Sequence, residues 1–135
     1  MQIVEQVNIT MSNVPSSLAK VGDRLRSSDI NIDAISCTES PTNTVIHLIV
    51  SDPESAKIIL KELGHVTATE VIAMKVKNRT GIIADIGRAC AATGVNIHYI
   101  YSTTCGKEAM VYVSAEDPVR ALGQLQKWEK SAGRL

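Results

Sequence analysis

The chain has 135 residues, of which 44% are hydrophobic and 21% are charged, a composition typical of a globular domain. Fourteen Lys and Arg residues balance fourteen Asp and Glu residues, so bulk charge offers no attraction for nucleic acid or an anionic membrane. Only 3% of the residues are aromatic and none is Phe, which argues against a surface that stacks single-stranded bases.

The compartment is predicted from what the sequence lacks. No apolar run reaches the roughly 18 residues that span a bilayer, and the first ten residues do not form a signal-peptide pattern. The three cysteines, Cys37, Cys90 and Cys105, are widely spaced and form no CxxC pair, which is typical of a reducing compartment. We therefore expect a cytoplasmic location and no membrane partner.

The chain opens with a strand and a helix. Alternation of apolar and polar residues at positions 7–11 predicts a half-buried strand. Apolar residues at helical spacing then predict a helix over about residues 15–28, with Pro15 in its first turn. The apolar stripe of this helix is expected to comprise Leu18, Val21 and Leu25.

Two further strands and a second helix follow. The strands are expected at about residues 30–38 and 44–50, joined by a turn at residues 41–43. Asp52 is typical of a helix N-cap and Pro53 of a first helical position, so a helix is expected from Pro53 to about Leu63, where Gly64 ends it. A fourth strand, at about residues 66–71, continues into the first strand of the second half.

The second half of the chain repeats the first. The segment NVPSSLAKVGDRLRSSDINIDAI begins at Asn13 and NRTGIIADIGRACAATGVNIHYI begins at Asn78, which sets the offset at 65 residues (78 − 13) without a gap. The second copy predicts strands at about residues 72–76, 95–103 and 109–115, and helices at about residues 82–93 and from Pro118. The last helix is expected to bury Val119, Leu122, Leu125 and Trp128.

The second copy lacks a fourth strand of its own, because residues 129–135 are polar and do not alternate. The offset places residues 1–6 at the position that residues 66–71 hold in the first copy. We therefore expect an α+β fold of two ferredoxin-like βαββαβ units, with an antiparallel sheet, helices on one face and the N-terminal strand completing the second unit. The alternative is a frayed N-terminus and a three-stranded second unit.

Asparagine recurs at two positions of each copy. Asn13 and Asn78 follow a strand and precede a helix, and Asn31 and Asn96 start a later strand. We expect both positions to lie at neighbouring ends of the sheet and first helix, beside the unpaired N–H groups of the helix N-terminus. An amide offers donors and an acceptor, which suits a group with both a carboxylate and an ammonium. Helix capping is the alternative role for Asn13 and Asn78.

The second-copy segment NRTGIIADIGRACAATGVNIHYI resembles the ACT domain family, whose pattern is roughly N/D-R-P-G-hydrophobic, a helix, and then G-hydrophobic-N-I. The Asp-Pro-x-x-Ala start of the last helix in each copy is similar to that family too. The resemblance covers nearly the whole chain as a tandem pair, which implies ACT units at residues 7–71 and 72–135. Residues 1–6 would supply the fourth strand of the second unit.

The resemblance implies a non-catalytic regulatory protein. It would bind a small amino acid at an ACT interface and pass the signal to a partner enzyme or to its own oligomeric state, with a homodimer expected on family grounds. No cofactor, metal or nucleic-acid partner is implied. The alternative is an interaction module that has lost its ligand and only assembles partner proteins.

The resemblance also assigns candidate ligand-binding residues by position. In the second copy they are Asn78, Arg79, Thr80, Gly81, Ile82 and Asn96, and in the first copy they are Asn13, Ser16 and Asn31. Both loops depart from the family pattern, since Thr80 stands where Pro is usual and Ser16 where Gly is usual. Gly permits close approach of a ligand to the backbone, so we expect the second copy to bind better.

Other chemistries have weaker support. His47, His65 and His98 lie far apart in the sequence and no pair has metal-ligand spacing. An acylphosphatase-like hydrolase on the same fold would need an Arg in the first loop beside an Asn on a neighbouring strand, a condition that Arg79 and Asn96 nominally meet.

Overall fold

The structure is a computed structural model in which the backbone is described for residues 1–132 and the side chains to Ser131. The elements are β1 (Gln2–Ser12), α1 (Ser17–Ser27), β2 (Ile32–Glu39), β3 (Asn43–Val50), α2 (Pro53–Leu60), β4 (His65–Lys77), α3 (Ile82–Ala91), β5 (Ile97–Cys105), β6 (Glu108–Ala115) and α4 (Pro118–Ala132). The order β-α-β-β-α therefore occurs twice, which confirms the predicted α+β plan.

The strands form one antiparallel sheet in the order β2-β3-β1-β4-β6-β5. The two long strands β1 and β4 are central in this order, as the repeat offset predicts. The first part of each long strand occupies the fourth-strand position of the repeat, and the last part occupies the first-strand position. The two segments are continuous in both strands.

The chain divides into two compact units. One comprises Glu5–Thr69, and the other comprises Met1–Val4 together with the described residues from Glu70 onward. In the second of these, Met1 packs against the hydrophobic core formed by the second copy. The N-terminal strand therefore completes the second unit, so the frayed alternative is wrong.

The first unit buries one face of its strands under both of its helices. Alternate residues of β1 and β3 meet one stripe from each helix in a single cluster. The buried members are Val7, Ile9, Met11, Val21, Leu25, Ile30, Ile46, Leu48, Val50, Ala56 and Leu60. Helices on one face of the sheet are thus confirmed for this unit.

The second unit repeats this packing. Its cluster comprises Ile72, Met74, Val76, Ile82, Ile86, Ala89, Cys90, Val95, Ala109, Val111, Val113, Ala115, Ala121 and Leu125. Leu60 and Leu125 occupy equivalent positions at the repeat offset, as do Ala56 and Ala121, and all four side chains are fully buried. The same two-helix core is therefore built twice.

Two apolar positions expected in the core are exposed. Leu18 in α1 is 52% exposed and Val119 in α4 is 67% exposed. Helix α1 begins at Ser17, two residues later than predicted, so Pro15 lies in the preceding turn. The Ser17 hydroxyl donates to Ser12 O at 2.8 Å and takes the buried position that Leu18 was expected to hold.

The first helix of each unit ends in a left-handed residue. Asp29 has φ +56° and Gly94 has φ +70°, at equivalent repeat positions. Such a residue reverses the chain after a helix. The following strands β2 and β5 therefore start at Ile32 and Ile97, two residues later than predicted. Helices α2 and α3 end three and two residues earlier than predicted.

The predicted N-cap of α2 is confirmed. Asp52 Oδ1 accepts a hydrogen bond from Ser55 N at 3.2 Å, and Pro53 occupies the first helical position. Hydrogen bonds from Ser55 lower the pKa of the Asp52 carboxyl, because they favour its ionised form.

Candidate functional site

The loop between β4 and α3 covers residues 78–81. Gly81 is the N-cap residue of α3 and has φ +90°, a left-handed conformation that favours glycine. Among the residues that the structure describes, no side chain caps α3. The N–H groups of its first turn therefore lack a side-chain acceptor, and they carry the partial positive charge of a helix N-terminus.

Asn78 ties this loop to the turn between β5 and β6. Its backbone N donates to Lys107 O at 2.8 Å and its side-chain Nδ2 donates to Gly106 O at 3.1 Å. Within the part of the chain that the structure describes, Asn78 Oδ1 accepts no hydrogen bond. Asn78 therefore does not cap the helix, and it keeps one amide acceptor available.

The Arg79 guanidinium turns back onto α3. Its Nη2 contacts Asp85 Oδ2 at 2.5 Å, and Arg88 Nη2 contacts Asp85 Oδ1 at 2.6 Å. Hydrogen bonds from Arg79 and then Arg88 lower the pKa of the Asp85 carboxyl. The guanidinium of Arg79 is thus paired with the Asp85 carboxylate, and this ion pair holds the loop against the helix.

In the equivalent loop of the first unit, both the amide nitrogen and the amide oxygen of the asparagine make hydrogen bonds. Asn13 Nδ2 donates to Glu39 Oε1 at 2.7 Å and to Ser40 O at 3.2 Å, and Asn13 Oδ1 accepts from Thr44 Oγ1 at 3.2 Å. Like Asn78, Asn13 binds the nearby β-turn, so the capping role is wrong for both. Ser16 is the N-cap residue of α1 and makes no side-chain cap either.

The second pair of asparagines lies at the opposite end of each unit. In the first unit Ser12 pairs with Asn43, whereas Ile32 pairs with Val50. Asn13 and Asn31 are therefore separated by about seven residues of β3, or ~23 Å along the strand. The expectation of neighbouring ends is wrong, because α1 crosses the length of the sheet before β2 begins.

The second unit has the same separation. Asn78 lies beside Gly106 in the β5–β6 turn, whereas Asn96 O accepts from Glu116 N at the far end of those strands. Within this unit Arg79 and Asn96 are therefore far apart. The catalytic pair that an acylphosphatase-like site needs is not formed there.

A buried polar network in the first unit was missed by the sequence analysis. Asn8 Oδ1 lies 2.7 Å from Gln6 Nε2 and 2.8 Å from His47 Nδ1, and its Nδ2 donates to the hydroxyls of Thr67 and Thr69 at 3.2 and 2.8 Å. Gln6 and Asn8 alternate with core residues of β1, so the pattern predicts them to be exposed. Both are buried on the other face of the sheet.

His47 gives this network a pH dependence. Burial lowers the pKa of His47, so below about pH 6.5 the unfolded chain binds a proton that the folded chain does not. We expect the free energy of unfolding to fall as pH is lowered from about 7 to 5, and His47→Gln to flatten this dependence. Urea unfolding over this pH range measures it. His98→Gln, at an exposed position on β5, is the control, and equal slopes for both variants would contradict the prediction.

Among the described residues, no group of three or more His, Cys, Asp and Glu side chains could hold a metal ion. None of the helices in residues 1–132 is both long and apolar enough to cross a membrane. The cysteines are free thiols, with Cys37 and Cys105 exposed and Cys90 buried.

Comparison with known proteins gives one family and several structures. A family model described as an ACT domain pair matches residues 1–126. Protein BT0572 from Bacteroides thetaiotaomicron is 27% identical with a TM-score of 0.87, over 93% of this chain and 88% of that one. No curated protein sequence matches the chain.

Two more distant structures share the fold. The ligand-free regulatory subunit of aspartate kinase from Thermus thermophilus is 20% identical with a TM-score of 0.70, over 95% of this chain and 97% of that chain. The regulatory subunit of aspartate kinase from Thermus flavus is 19% identical with a TM-score of 0.62, with the same coverages. At these identities the likeness concerns the fold.

Proposed function

The chain belongs to the ACT domain pair family, and from this membership we propose that it is a non-catalytic regulatory protein that binds a small amino acid. Ligand binding would change the activity of a partner enzyme or the oligomeric state of the chain itself. The expected assembly is a homodimer. The regulatory subunits of aspartate kinase that share its fold support this role. The exposed free thiols fit a cytoplasmic location.

The proposed ACT units are residues 7–71 and 72–135, with residues 1–6 completing the second. Residues 133–135 of that range lie outside the described residues. Each unit offers one strand-to-helix loop, and each loop is tied by an asparagine to the adjacent β-turn. The loop of the second unit is the stronger candidate.

We place the amino acid at the β4–α3 loop, and the single observation that carries this is the free Asn78 Oδ1 beside the uncapped start of α3. The ligand ammonium would donate to Asn78 Oδ1. The ligand carboxylate would accept from the N–H groups of Ile83 and Ala84 in the first helical turn. Around Gly81 there is room, since a Cβ there would meet only Arg79 Nη1, at 3.9 Å.

The loop of the first unit is less suited to this task. Asn13 Oδ1 already accepts from Thr44, and the Ser16 side chain occupies the position where Gly81 leaves the backbone open. Asn31 and Asn96, at the far end of each unit, contribute to the ligand site if a second copy of the chain supplies them. Binding would then favour one packing of that interface through its differential affinity.

A thermal-shift screen with the twenty amino acids tests the proposal. At 100 times its Kd, a ligand stabilises the folded chain by about 2.7 kcal/mol. We expect one small amino acid to raise the melting temperature, and Asn78→Ala to abolish that shift because it removes the ammonium acceptor. Asn13→Ala is the matched control, since it breaks the same kind of loop-to-turn contact in the other unit.

The outcomes separate the candidate functions. If Asn13→Ala abolishes the shift and Asn78→Ala does not, the assignment to the second loop is wrong. If none of the twenty amino acids stabilises the chain, amino-acid binding is wrong and the ligand-free interaction module is favoured.

A further inference from the structure

A cavity of about 420 Å³ opens between α3 and α4, and none of the loop residues 78–81 lines it. This volume is within the range of small-molecule sites. Ala89 of α3 and Ala92, the residue that follows α3, contribute small side chains to its lining. Trp128 of α4, the single Trp of the sequence, forms part of its wall and also packs against the core of the unit.

The internal repeat shows why this groove is open. In the first unit Arg24 of α1 and Glu62, in the turn that follows α2, form an ion pair with Nη1 and Oε2 at 2.6 Å, which links α1 to the end of α2. The repeat offset maps these residues onto Ala89 and Lys127. The second unit therefore lacks the bridge, and a cation stands where the first unit has a carboxylate.

The groove carries a surplus of positive charge. Asp85, the carboxylate of the lining, accepts from both Arg79 and Arg88. Arg88 is 73% exposed and contacts Asp85 through Nη2, and a guanidinium has five N–H donors in all. Lys127 has no carboxylate partner among the described residues. An anion in the groove would therefore meet two cations and one carboxylate that is already neutralised.

We propose that the α3–α4 groove binds a small aromatic carboxylate. Its ring lies between the indole of Trp128 and the two alanines, whose small side chains leave room for a flat apolar body. Its carboxylate is held by Lys127 and Arg88 through charge-assisted hydrogen bonds. A bare inorganic anion would use the cations but leave the aromatic wall uncovered, so the ring distinguishes this ligand class.

Benzoate is the probe, and Trp128 is the reporter. Titration of the full chain with benzoate is expected to change the indole fluorescence saturably, with a Kd of about 1 mM or tighter by calorimetry. Benzamide, which has the same ring without the charge, and acetate, which has the charge without the ring, are each expected to bind at least about tenfold more weakly. Equal binding of either compound overturns the proposal.

The first unit supplies the decisive variant. Ala89→Arg with Lys127→Glu rebuilds the Arg24–Glu62 bridge across the groove and should abolish benzoate binding. Far-ultraviolet circular dichroism checks that the variant is folded, and Lys127→Gln, which removes the charge but keeps a polar side chain, should weaken binding about tenfold. Retained binding in the folded double variant, or unchanged affinity in Lys127→Gln, overturns the proposal.

This site is independent of the proposed amino-acid site. Asn78→Ala leaves every lining residue of the groove in place, so benzoate should bind that variant as it binds the original chain. If Asn78→Ala loses the amino-acid response but still binds benzoate, the groove assignment stands. If the chain responds to an amino acid but does not bind benzoate, only the groove assignment is wrong.

Discussion

Replacing Leu60 or Leu125 by Ala is expected to destabilise the chain by about 2–5 kcal/mol, because each change removes fully buried methyl groups and leaves a cavity. The two leucines occupy equivalent positions in the second helix of each unit. They are therefore a matched pair that tests whether both cores are packed as described.

Urea unfolding measures both effects. Trp128 packs against the core that contains Leu125, so its fluorescence should report the loss of stability in Leu125→Ala directly. Circular dichroism follows Leu60→Ala. Ile58→Ala and Val119→Ala are the controls, since both side chains are exposed on the same helices and should change stability by less than about 0.5 kcal/mol. If Leu125→Ala unfolds at the same urea concentration as Val119→Ala, the assignment of Leu125 to the core is wrong.

Gly64→Ala is expected to destabilise the chain by at least about 1–3 kcal/mol, because the site is overpacked. A Cβ at this position would lie 2.4 Å from Thr10 O, a backbone atom of β1, with the side chains of Met11 and Ile9 at 3.1 and 3.2 Å. Since a strand inside a sheet cannot move aside as a flexible side chain can, the contact must be relieved by a shift of the main chain. Thermal unfolding followed by circular dichroism measures the loss.

The matched controls carry the same substitution at sites with room. Gly22 and Gly87 lie inside α1 and α3 at equivalent repeat positions, and a Cβ at either meets no atom within 4 Å. Ala there should stabilise the chain by about 0.5–1 kcal/mol, because it lowers the entropy of the unfolded backbone. A Gly64→Ala variant that is as stable as Gly22→Ala would show that the approach to Thr10 is not close.

The strands and their order could be predicted because they depend on two simple regularities. Period-two alternation locates a strand with one buried face. The gap-free offset of 65 residues then identifies residues 1–6 as the missing fourth strand by position alone. The packing of Met1 on the second core follows from that offset.

Burial at particular positions could not be predicted in this way. Leu18 and Val119 both lie in the first turn of a helix, where an apolar side chain extends past the end of the core. Gln6 and Asn8 are the polar residues of an alternating strand, a position that predicts exposure. They are buried instead, with cross-strand hydrogen bonds to His47 and two threonines. Such pairings depend on strand register, which one sequence does not specify.

The candidate site was predicted in part. The motif located the β4–α3 loop, and the left-handed Gly81 explains why glycine is needed there. The ion pair of Arg79 with Asp85 was missed, although the spacing of these two residues around the start of α3 could have suggested it. The separation of Asn78 from Asn96 followed from the direction of α3 across the sheet, a topological step that motif spacing alone does not contain.

The borrowed strand also bears on how the molecule is made. Met1–Val4 leave the ribosome before the unit of Glu5–Thr69, yet the unit that they complete otherwise consists of described residues from Glu70 onward. The unit of Glu5–Thr69 can fold while translation continues, whereas Met1–Val4 must wait until the residues after Glu70 have been made. A nascent chain cut short before the second unit is made would therefore carry a strand that still lacks its partners.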